Sequence, residues 1–147
     1  MSRPVSVNSG ASRFIQEISV GPHVFHADEP GDLGGGDVGP NPYELLLAAL
    51  GACTSMTVRM YAERKKWPLD SVRVGLSYAK VHVDDCVNCE TEVRMIDQIE
   101  VEITLVGNLD GEQRRRLLEI ANICPVHRTL TSQVRIRSRL TENTVPD

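Results

Sequence analysis

The sequence lacks several features that mark large functional classes. It has 16 lysines and arginines against 20 aspartates and glutamates, so it lacks the basic surplus of a general nucleic-acid binder. Its longest uninterrupted apolar stretch, residues 45–53, is about half of the roughly 20 residues that span a bilayer. The first ten residues contain no apolar segment typical of a secretory signal. These absences predict a cytoplasmic protein with neither a nucleic-acid nor a membrane partner.

The composition predicts a single folded domain. The chain has 147 residues, of which 41% are hydrophobic and 24% are charged, and it contains no internal repeat or low-complexity block. These values are ordinary for one globular core and argue against a disordered chain. We therefore expect one domain over residues 1–147, with polar, flexible tails at residues 1–10 and 141–147.

The N-terminal third is predicted to contain a β-hairpin. Residues 14–20 and 24–27 have strand composition, and Gly21 and Pro22 between them form a turn signal. A glycine-rich stretch follows at residues 29–40. Since no phosphate-binding pattern accompanies it, we expect a mobile connector.

A long helix is predicted over residues 42–66. Asn41 is an N-cap residue, Pro42 suits the first helical position, and Glu44 completes a capping box. The helix should end where Trp67 precedes Pro68. Its first half is apolar or small on every face, which predicts burial all round. Two methionines one turn apart, Met56 and Met60, are expected in the core.

The remaining elements complete an α+β fold. Residues 72–78 and 99–105 alternate between apolar and polar side chains and predict two half-buried strands. A second helix is predicted from its cap, Asp110, with Gln113 in the capping box, to residue 123. Residues 134–136, flanked by arginines, predict a closing edge strand. The order ββ-α-ββ-α-β favours hairpins over parallel units.

Four cysteines carry the functional signal, because structural disulfides are rare in the cytosol. Cys53 lies in the apolar half of the long helix, where a cysteine often acts as a small hydrophobic residue. Cys124 precedes Pro125 and is predicted to cap a short helical turn. A helix N-terminus and the nearby His127 favour a thiolate there. A packed, unreactive Cys124 remains the alternative on spacing alone.

Two longer segments resemble the OsmC/Ohr family of thiol peroxidases. The first is PNPYELLLAALGACTSMTVRMYAERKKWPLDSV and the second is GNLDGEQRRRLLEIANICPVHRTLTSQVRI. The resemblance implies an OsmC-like fold in which antiparallel sheets surround two central helices of an intertwined homodimer. It also implies reduction of organic hydroperoxides by two cysteines. Cys53 matches the cysteine that attacks the peroxide, and Cys124 matches the resolving cysteine.

The implied cycle needs no bound cofactor. Cys53 would become a sulfenic acid, Cys124 would condense with it to a disulfide, and an external thiol or dithiol would reduce the pair. The family's pocket also carries a glutamate and an arginine, for which Glu44 and Arg13 are the candidates here. Tyr43 occupies the position at which the best-known peroxidases of the family carry that glutamate, and Glu44 follows it.

A second cysteine pair lies between the two predicted C-terminal strands. Cys86 and Cys89 form a C-x-x-C motif, and His82 precedes them by four residues. Such a motif is found in redox pairs and in halves of zinc sites, and a plain hairpin loop is a further alternative. The sequence thus leaves a second hypothesis, a redox-responsive or metal-binding OsmC-like module with little peroxidase turnover. A domain that binds an apolar small molecule is a third.

Overall fold

The computed structural model describes residues 2–83 and 94–142 of the chain and confirms an α+β fold. Its strands are β1 (Val5–Ser9), β2 (Gln16–Val20), β3 (His23–Ala27), β4 (Leu69–Val83) and β5 (Arg94–Gly107). Its helices are α1 (Pro42–Lys65), α2 (Gly111–Ala121) and α3 (Pro125–Leu130), with a single 3-10 turn at Gly31–Leu33.

The N-terminal strands form a three-stranded antiparallel sheet in the order β1-β2-β3. The predicted hairpin is confirmed, with Val20 paired to His23 across a turn in which Gly21 has a φ of 56°. The expected N-terminal tail is corrected, because residues 5–9 form β1 and pair with β2 from Val5 opposite Val20 to Ser9 opposite Gln16. Its side chains are exposed, so backbone pairing and not burial holds this strand.

Both ends of α1 follow the sequence prediction. The Asn41 side chain accepts a hydrogen bond from the Glu44 N–H at 2.9 Å, and the Glu44 carboxylate accepts one from the Asn41 N–H at 3.1 Å. This reciprocal pair satisfies two amide groups that the helix itself leaves free. At the other end Lys66 adopts a left-handed conformation with a φ of 57°, and the Trp67 N–H turns back to the Ala62 carbonyl.

The C-terminal strands form a long two-stranded antiparallel ribbon against which α1 packs. Val72 lies opposite Leu105 and Tyr78 opposite Ile99, as the alternation predicts. The approach is close at Gly51, where an added Cβ would lie 2.7 Å from a methyl carbon of Leu76. The core lies where α1, α2 and this ribbon meet. Its buried residues are Val58, Ala62, Leu109, Leu117 and Ala121.

The opposite face of α1 is exposed, which corrects two expectations: Leu46 and Ala49 of the first half are exposed, and the two methionines lie outside the core. Met56 is 65% exposed and Met60 is 69% exposed, whereas Val58 on the packed face is fully buried. Among the described residues, no element covers the methionine face. A single chain therefore buries only one side of α1.

By length and composition alone, α1 also meets the requirement for a membrane-spanning helix. An 18-residue window has a mean hydropathy of 1.4. A central helix of a domain core meets the same requirement, and α1 supplies buried Val58 and Ala62 to the core described above.

The predicted closing strand is wrong for the chain alone. Residues 133–140 have no regular secondary structure, and Ile136 is 83% exposed while Leu140 is fully exposed. A strand requires a hydrogen-bonded neighbour, and none of the described strands pairs with this segment. The second helix also ends earlier than predicted, at Ala121 with Asn122 as its C-cap.

The glycine-rich connector is ordered, contrary to expectation, by one buried carboxylate. Asp28, 2% exposed, accepts hydrogen bonds from the N–H groups of Glu29, Gly36 and Val38 at 2.8, 3.0 and 3.2 Å. The Asp28 N–H donates to the Pro40 carbonyl at 3.2 Å and closes the loop. A Cβ at position 39 would clash with the carbonyl of His26, so glycine is required there.

This arrangement predicts an acid-sensitive loop. Desolvation raises the pKa of Asp28, but the three N–H donors outweigh it, so its pKa lies below the ordinary value. A lowered pKa stabilises the fold above the unfolded-state value of about 3.9, and this stability is lost as the pH falls through the folded value. Asp28→Asn should therefore lower the melting temperature by several degrees at pH 7, and the deficit should shrink below about pH 4.

The matched control is Asp32→Asn, because Asp32 is an exposed carboxylate in the same loop. It should leave the melting temperature unchanged at both pH values in thermal unfolding followed by circular dichroism. Equal melting temperatures for Asp28→Asn and wild type at pH 7 would contradict the assignment.

Candidate functional site

Two cysteines meet at the start of α3. Cys53 lies in the middle of α1, and its Sγ accepts a hydrogen bond from the Val126 N–H at 3.5 Å. Val126 is the second residue of α3, after Pro125, which has no N–H. The first amide that α3 can offer is therefore directed at a sulfur of another helix. Cys53 is partly exposed.

Cys124 is the N-cap of α3, as the sequence predicts. Its Sγ accepts a hydrogen bond from the His127 N–H at 3.4 Å, and the residue is fully buried. Neighbouring amides of one helical turn thus reach the two sulfurs, Val126 to Cys53 and His127 to Cys124. Both sulfurs therefore accept a hydrogen bond from the first turn of the same helix.

Thr54 connects the two cysteine-bearing segments. It follows Cys53 in α1, is 3% exposed, and its hydroxyl lies 3.6 Å from the Cys124 Sγ. The same hydroxyl donates to the Leu50 carbonyl one turn earlier, at 2.8 Å. Because a hydroxyl has a single proton, it serves either the carbonyl or the sulfur at one time. No signal in the sequence marked Thr54 beyond its position beside a cysteine.

A cavity of about 380 Å³ lies between α1, β5 and α3 on the Cys124 side of the site. Thr54 and His127, which both contact the Cys124 sulfur, line it. Its walls combine aliphatic side chains with the polar side chains of Thr54, Asp97 and His127. The lining residues are Leu50, Thr54, Asp97, Ile99, Val101, Ile103, Ala121, Asn122, His127, Leu130 and Thr131.

An aromatic and acidic cluster stands beside this cavity. The Tyr78 hydroxyl donates to the Asp97 carboxylate at 2.6 Å, and Tyr43 stacks on Tyr78 with ring centroids 4.6 Å apart. The hydrogen bond to Asp97, followed by desolvation and Tyr43, raises the pKa of Tyr78 above its usual range. The Tyr78 hydroxyl and the Lys80 ammonium, 3.6 Å away, lower the pKa of Asp97. Sequence reasoning missed Asp97, although it continues the spacing of the inward residues Ile99 and Val101.

A second, open groove of about 770 Å³ lies one helical turn along α1 from Cys53. Thr57 and Met60 form one wall, and Ile120, Ile123 and Pro125 form the other. The groove is largely apolar and adjoins the exposed methionine face of α1.

Glu44 and Arg13 have other partners in this chain. The Glu44 carboxylate completes the capping box at the start of α1, and the Arg13 guanidinium lies 4.8 Å from the centre of the Phe14 ring. Within the part of the chain that the structure describes, neither side chain hydrogen-bonds to Cys53. Their catalytic roles therefore stay predictions.

The second cysteine pair, Cys86 and Cys89, lies outside the described residues. His82 is described, and it occupies β4 opposite Met95 of β5. Residues 2–83 and 94–142 contain no group of three metal-ligating side chains. A zinc site at this pair stays a hypothesis.

Comparison with known proteins supports the family-level interpretation of this geometry. A family model described as OsmC-like protein matches residues 34–139. This range includes both cysteines of the site and all three helices. No curated protein matches the sequence.

Solved structures share the fold at low sequence identity. An organic hydroperoxide resistance protein OsmC from Legionella pneumophila is 18% identical, with 89% of this chain and 90% of that chain covered and a TM-score of 0.64. OhrB of Bacillus subtilis, an organic hydroperoxide resistance protein, is 16% identical over 89% and 91%, with a TM-score of 0.61. An OsmC-like protein from Mycoplasma pneumoniae is 14% identical over 88% and 87%, with a TM-score of 0.65.

The observed cap generates a test that separates two roles of Glu44. Glutamine also completes a capping box, so Glu44→Gln should retain the stability of the wild type, while Glu44→Ala should lose about 0.5–1 kcal/mol. Denaturant unfolding measures both values. A capping role further predicts equal rates of thiol oxidation by an alkyl hydroperoxide in Glu44→Gln and wild type. A large loss of rate with unchanged stability would instead assign the carboxylate to catalysis.

Proposed function

The chain belongs to the OsmC-like protein family, and we propose that it is a thiol-dependent peroxidase that reduces organic hydroperoxides. The observation that carries the proposal is the pair of hydrogen bonds from consecutive amides of α3, Val126 N–H to Cys53 and His127 N–H to Cys124. The two bonds bring both thiols to the first turn of one helix. Two thiols in this position are suited to form and exchange a disulfide.

Cys53 is the residue that attacks the peroxide in this proposal. Its sulfur belongs to a partly exposed residue, whereas Cys124 is fully buried and out of reach of a substrate. The Cys53 thiolate attacks the terminal peroxide oxygen, the O–O bond breaks, and the alkoxide leaves as an alcohol after taking a proton. Cys53 then holds that oxygen as a sulfenic acid.

Cys124 resolves the sulfenic acid. Its sulfur bonds to the Cys53 sulfur, the S–O bond breaks, and the hydroxide leaves with the Cys124 proton as water. An external thiol or dithiol then reduces the disulfide and regenerates both thiols. The cycle uses two electrons from the reductant per peroxide and requires no metal or organic cofactor.

An organic substrate fits the surroundings of Cys53. The groove beside it is lined by Met60, Ile120 and Ile123, which would bind an alkyl chain better than they would hold water. The Legionella and Bacillus structures, named as organic hydroperoxide resistance proteins, support the same substrate class.

We also propose that the working form is a homodimer. The uncovered methionine face of α1 and the extended, exposed segment 133–140 are both surfaces that a second copy would complete. Val134 and Ile136 alternate with arginines, a pattern suited to a strand added to another sheet. A partner helix against Met56 and Met60 would bury the remaining apolar side of α1.

The peroxidase proposal predicts a stoichiometric thiol loss. Reduced wild type mixed with one equivalent of an alkyl hydroperoxide should lose two thiols per chain, and a dithiol should restore them. Cys53→Ser should slow peroxide consumption by at least about a thousandfold, because it removes the nucleophile. Cys124→Ser should still react but stop at a sulfenic acid, measurable by mass spectrometry after trapping with a dione.

The control is the double variant Cys86→Ser and Cys89→Ser, which should retain the loss of two thiols. If that variant instead loses no thiols, the reactive pair is the C-x-x-C motif, and the redox-module hypothesis replaces the peroxidase assignment for Cys53 and Cys124.

The dimer proposal predicts that charge on the methionine face separates the subunits. Met56→Asp with Met60→Asp should convert a dimer of about twice the chain mass to a monomer, because two carboxylates would have to be desolvated at the interface. Sedimentation equilibrium measures the mass. Leu118→Asp, a comparable change at a 52% exposed residue of α2, should leave the dimer intact. A monomeric wild type would refute the proposal.

A further inference from the structure

We infer that Thr54 is a positioning residue for Cys124, with a hydroxyl that changes its hydrogen-bond partner as the disulfide forms. The inference rests on the proposed function, and it concerns only the second chemical step. It follows from two contacts of the buried Thr54 oxygen and one of the Cys124 sulfur: the hydroxyl donates to the Leu50 carbonyl and lies beside the sulfur, and the His127 amide donates to the same sulfur.

The single proton of the Thr54 hydroxyl defines two arrangements. While Cys124 is a thiol, its S–H can donate to the Thr54 oxygen, 3.6 Å away, and the hydroxyl donates to the Leu50 carbonyl at 2.8 Å. When the sulfur carries negative charge it no longer donates, and the hydroxyl can turn its proton to the sulfur. Hydrogen bonds to an ionised acceptor are about twice as strong as neutral ones, so the second arrangement is favoured as charge develops.

The burial of these groups makes the change of hydrogen-bond partner important for the charge on the sulfur. Thr54 is 3% exposed, Leu50 is 5% exposed and Cys124 is fully buried. A charge that develops on the Cys124 sulfur during its attack thus relies on protein donors in place of bulk water. The His127 amide is one fixed donor, and the Thr54 hydroxyl is a second that becomes available when it is needed.

The affected step is the condensation of Cys124 with the Cys53 sulfenic acid. The Cys124 sulfur gains a bond to the Cys53 sulfur, the S–O bond breaks, and the hydroxide departs with the Cys124 proton as water. Thr54 neither gains nor loses a proton overall. Its hydroxyl rotates toward the attacking sulfur and returns to the Leu50 carbonyl when the charge has been consumed.

The test compares Thr54→Val, which removes the hydroxyl and keeps the branched shape, with Thr54→Ser, which keeps the hydroxyl. Stopped-flow fluorescence and quenched thiol counts with an alkyl hydroperoxide resolve sulfenic acid formation from disulfide formation. In Thr54→Val the ratio of the second rate to the first should fall about tenfold, as expected from losing one hydrogen bond to a charged group. Thr54→Ser should restore the ratio to within about twofold of the wild type.

Thr129→Val is the matched control. The Thr129 hydroxyl makes the same type of bond, to the Pro125 carbonyl one turn earlier, at 3.1 Å, and is exposed on α3. Removing it should leave the ratio unchanged, which separates the sulfur contact from the loss of a helical threonine bond.

The outcomes distinguish this inference from the proposed function. A wild type that forms no Cys53–Cys124 disulfide with the peroxide refutes the function itself. A wild type that forms it, with the same rate ratio in Thr54→Val, refutes the role of Thr54 alone. Equal slowing in Thr54→Ser and Thr54→Val also refutes it, because the space and not the hydroxyl would then matter. If Thr54→Val does not fold, Thr54→Ala replaces it in the comparison with Thr54→Ser.

Discussion

The candidate site depends on the hydrogen bonds that the first free amides of the short helix α3 donate. Pro125 has no N–H, so the first free donors are those of Val126 and His127, and each ends on a sulfur. The bond from Val126 connects α3 to Cys53 in α1, 73 residues away in the sequence, whereas the bond from His127 is local to the first turn of α3. The β-ribbon and α2, which separate Cys53 from Cys124 in the sequence, bring the two segments into this contact. The core around Val58 and Leu117 therefore supports the site directly.

A second constraint is that a single chain buries only one face of its central helix, α1. The packed face of α1 contributes Val58 and Ala62 to the core, whereas Met56 and Met60 remain exposed. The apolar groove beside Cys53 opens on this uncovered side. Because Met60 belongs both to the exposed face and to the groove, a surface that covers the methionines would also cover part of the groove.

The sequence predicted the elements whose signals are local. The capping boxes at Asn41 and Asp110 and the cysteine cap of α3 all depend on residues within one helical turn, and all are confirmed. The strand expected near Val134 failed because pairing depends on a neighbour that a local pattern cannot supply. The exposure of Met56 was missed for the same reason, since hydrophobicity predicts that a face is buried and not what buries it.

The candidate site shows the same difference between local signals and long-range contacts. Both cysteines were predicted from spacing and resemblance. Their contacts across the two helices, Val126 with Cys53 and Thr54 with Cys124, were not, because they form only when α3 packs on α1. Asp28 was missed as well. A buried carboxylate that accepts three amide bonds looks, in the sequence, like any acidic residue before a glycine-rich stretch.

Asp28 also determines where this chain can be lengthened. The bond from the Asp28 N–H to the Pro40 carbonyl brings the end of β3 next to the start of α1, so the polypeptide leaves and returns at nearly one point. The 3-10 turn at Gly31–Leu33 lies at the far side of this ring and is exposed. The entropy of closing a loop grows slowly with its length, and both ends here are already fixed. A peptide inserted at this turn would extend into solvent and would leave the N-terminal sheet and helix α1 undisturbed.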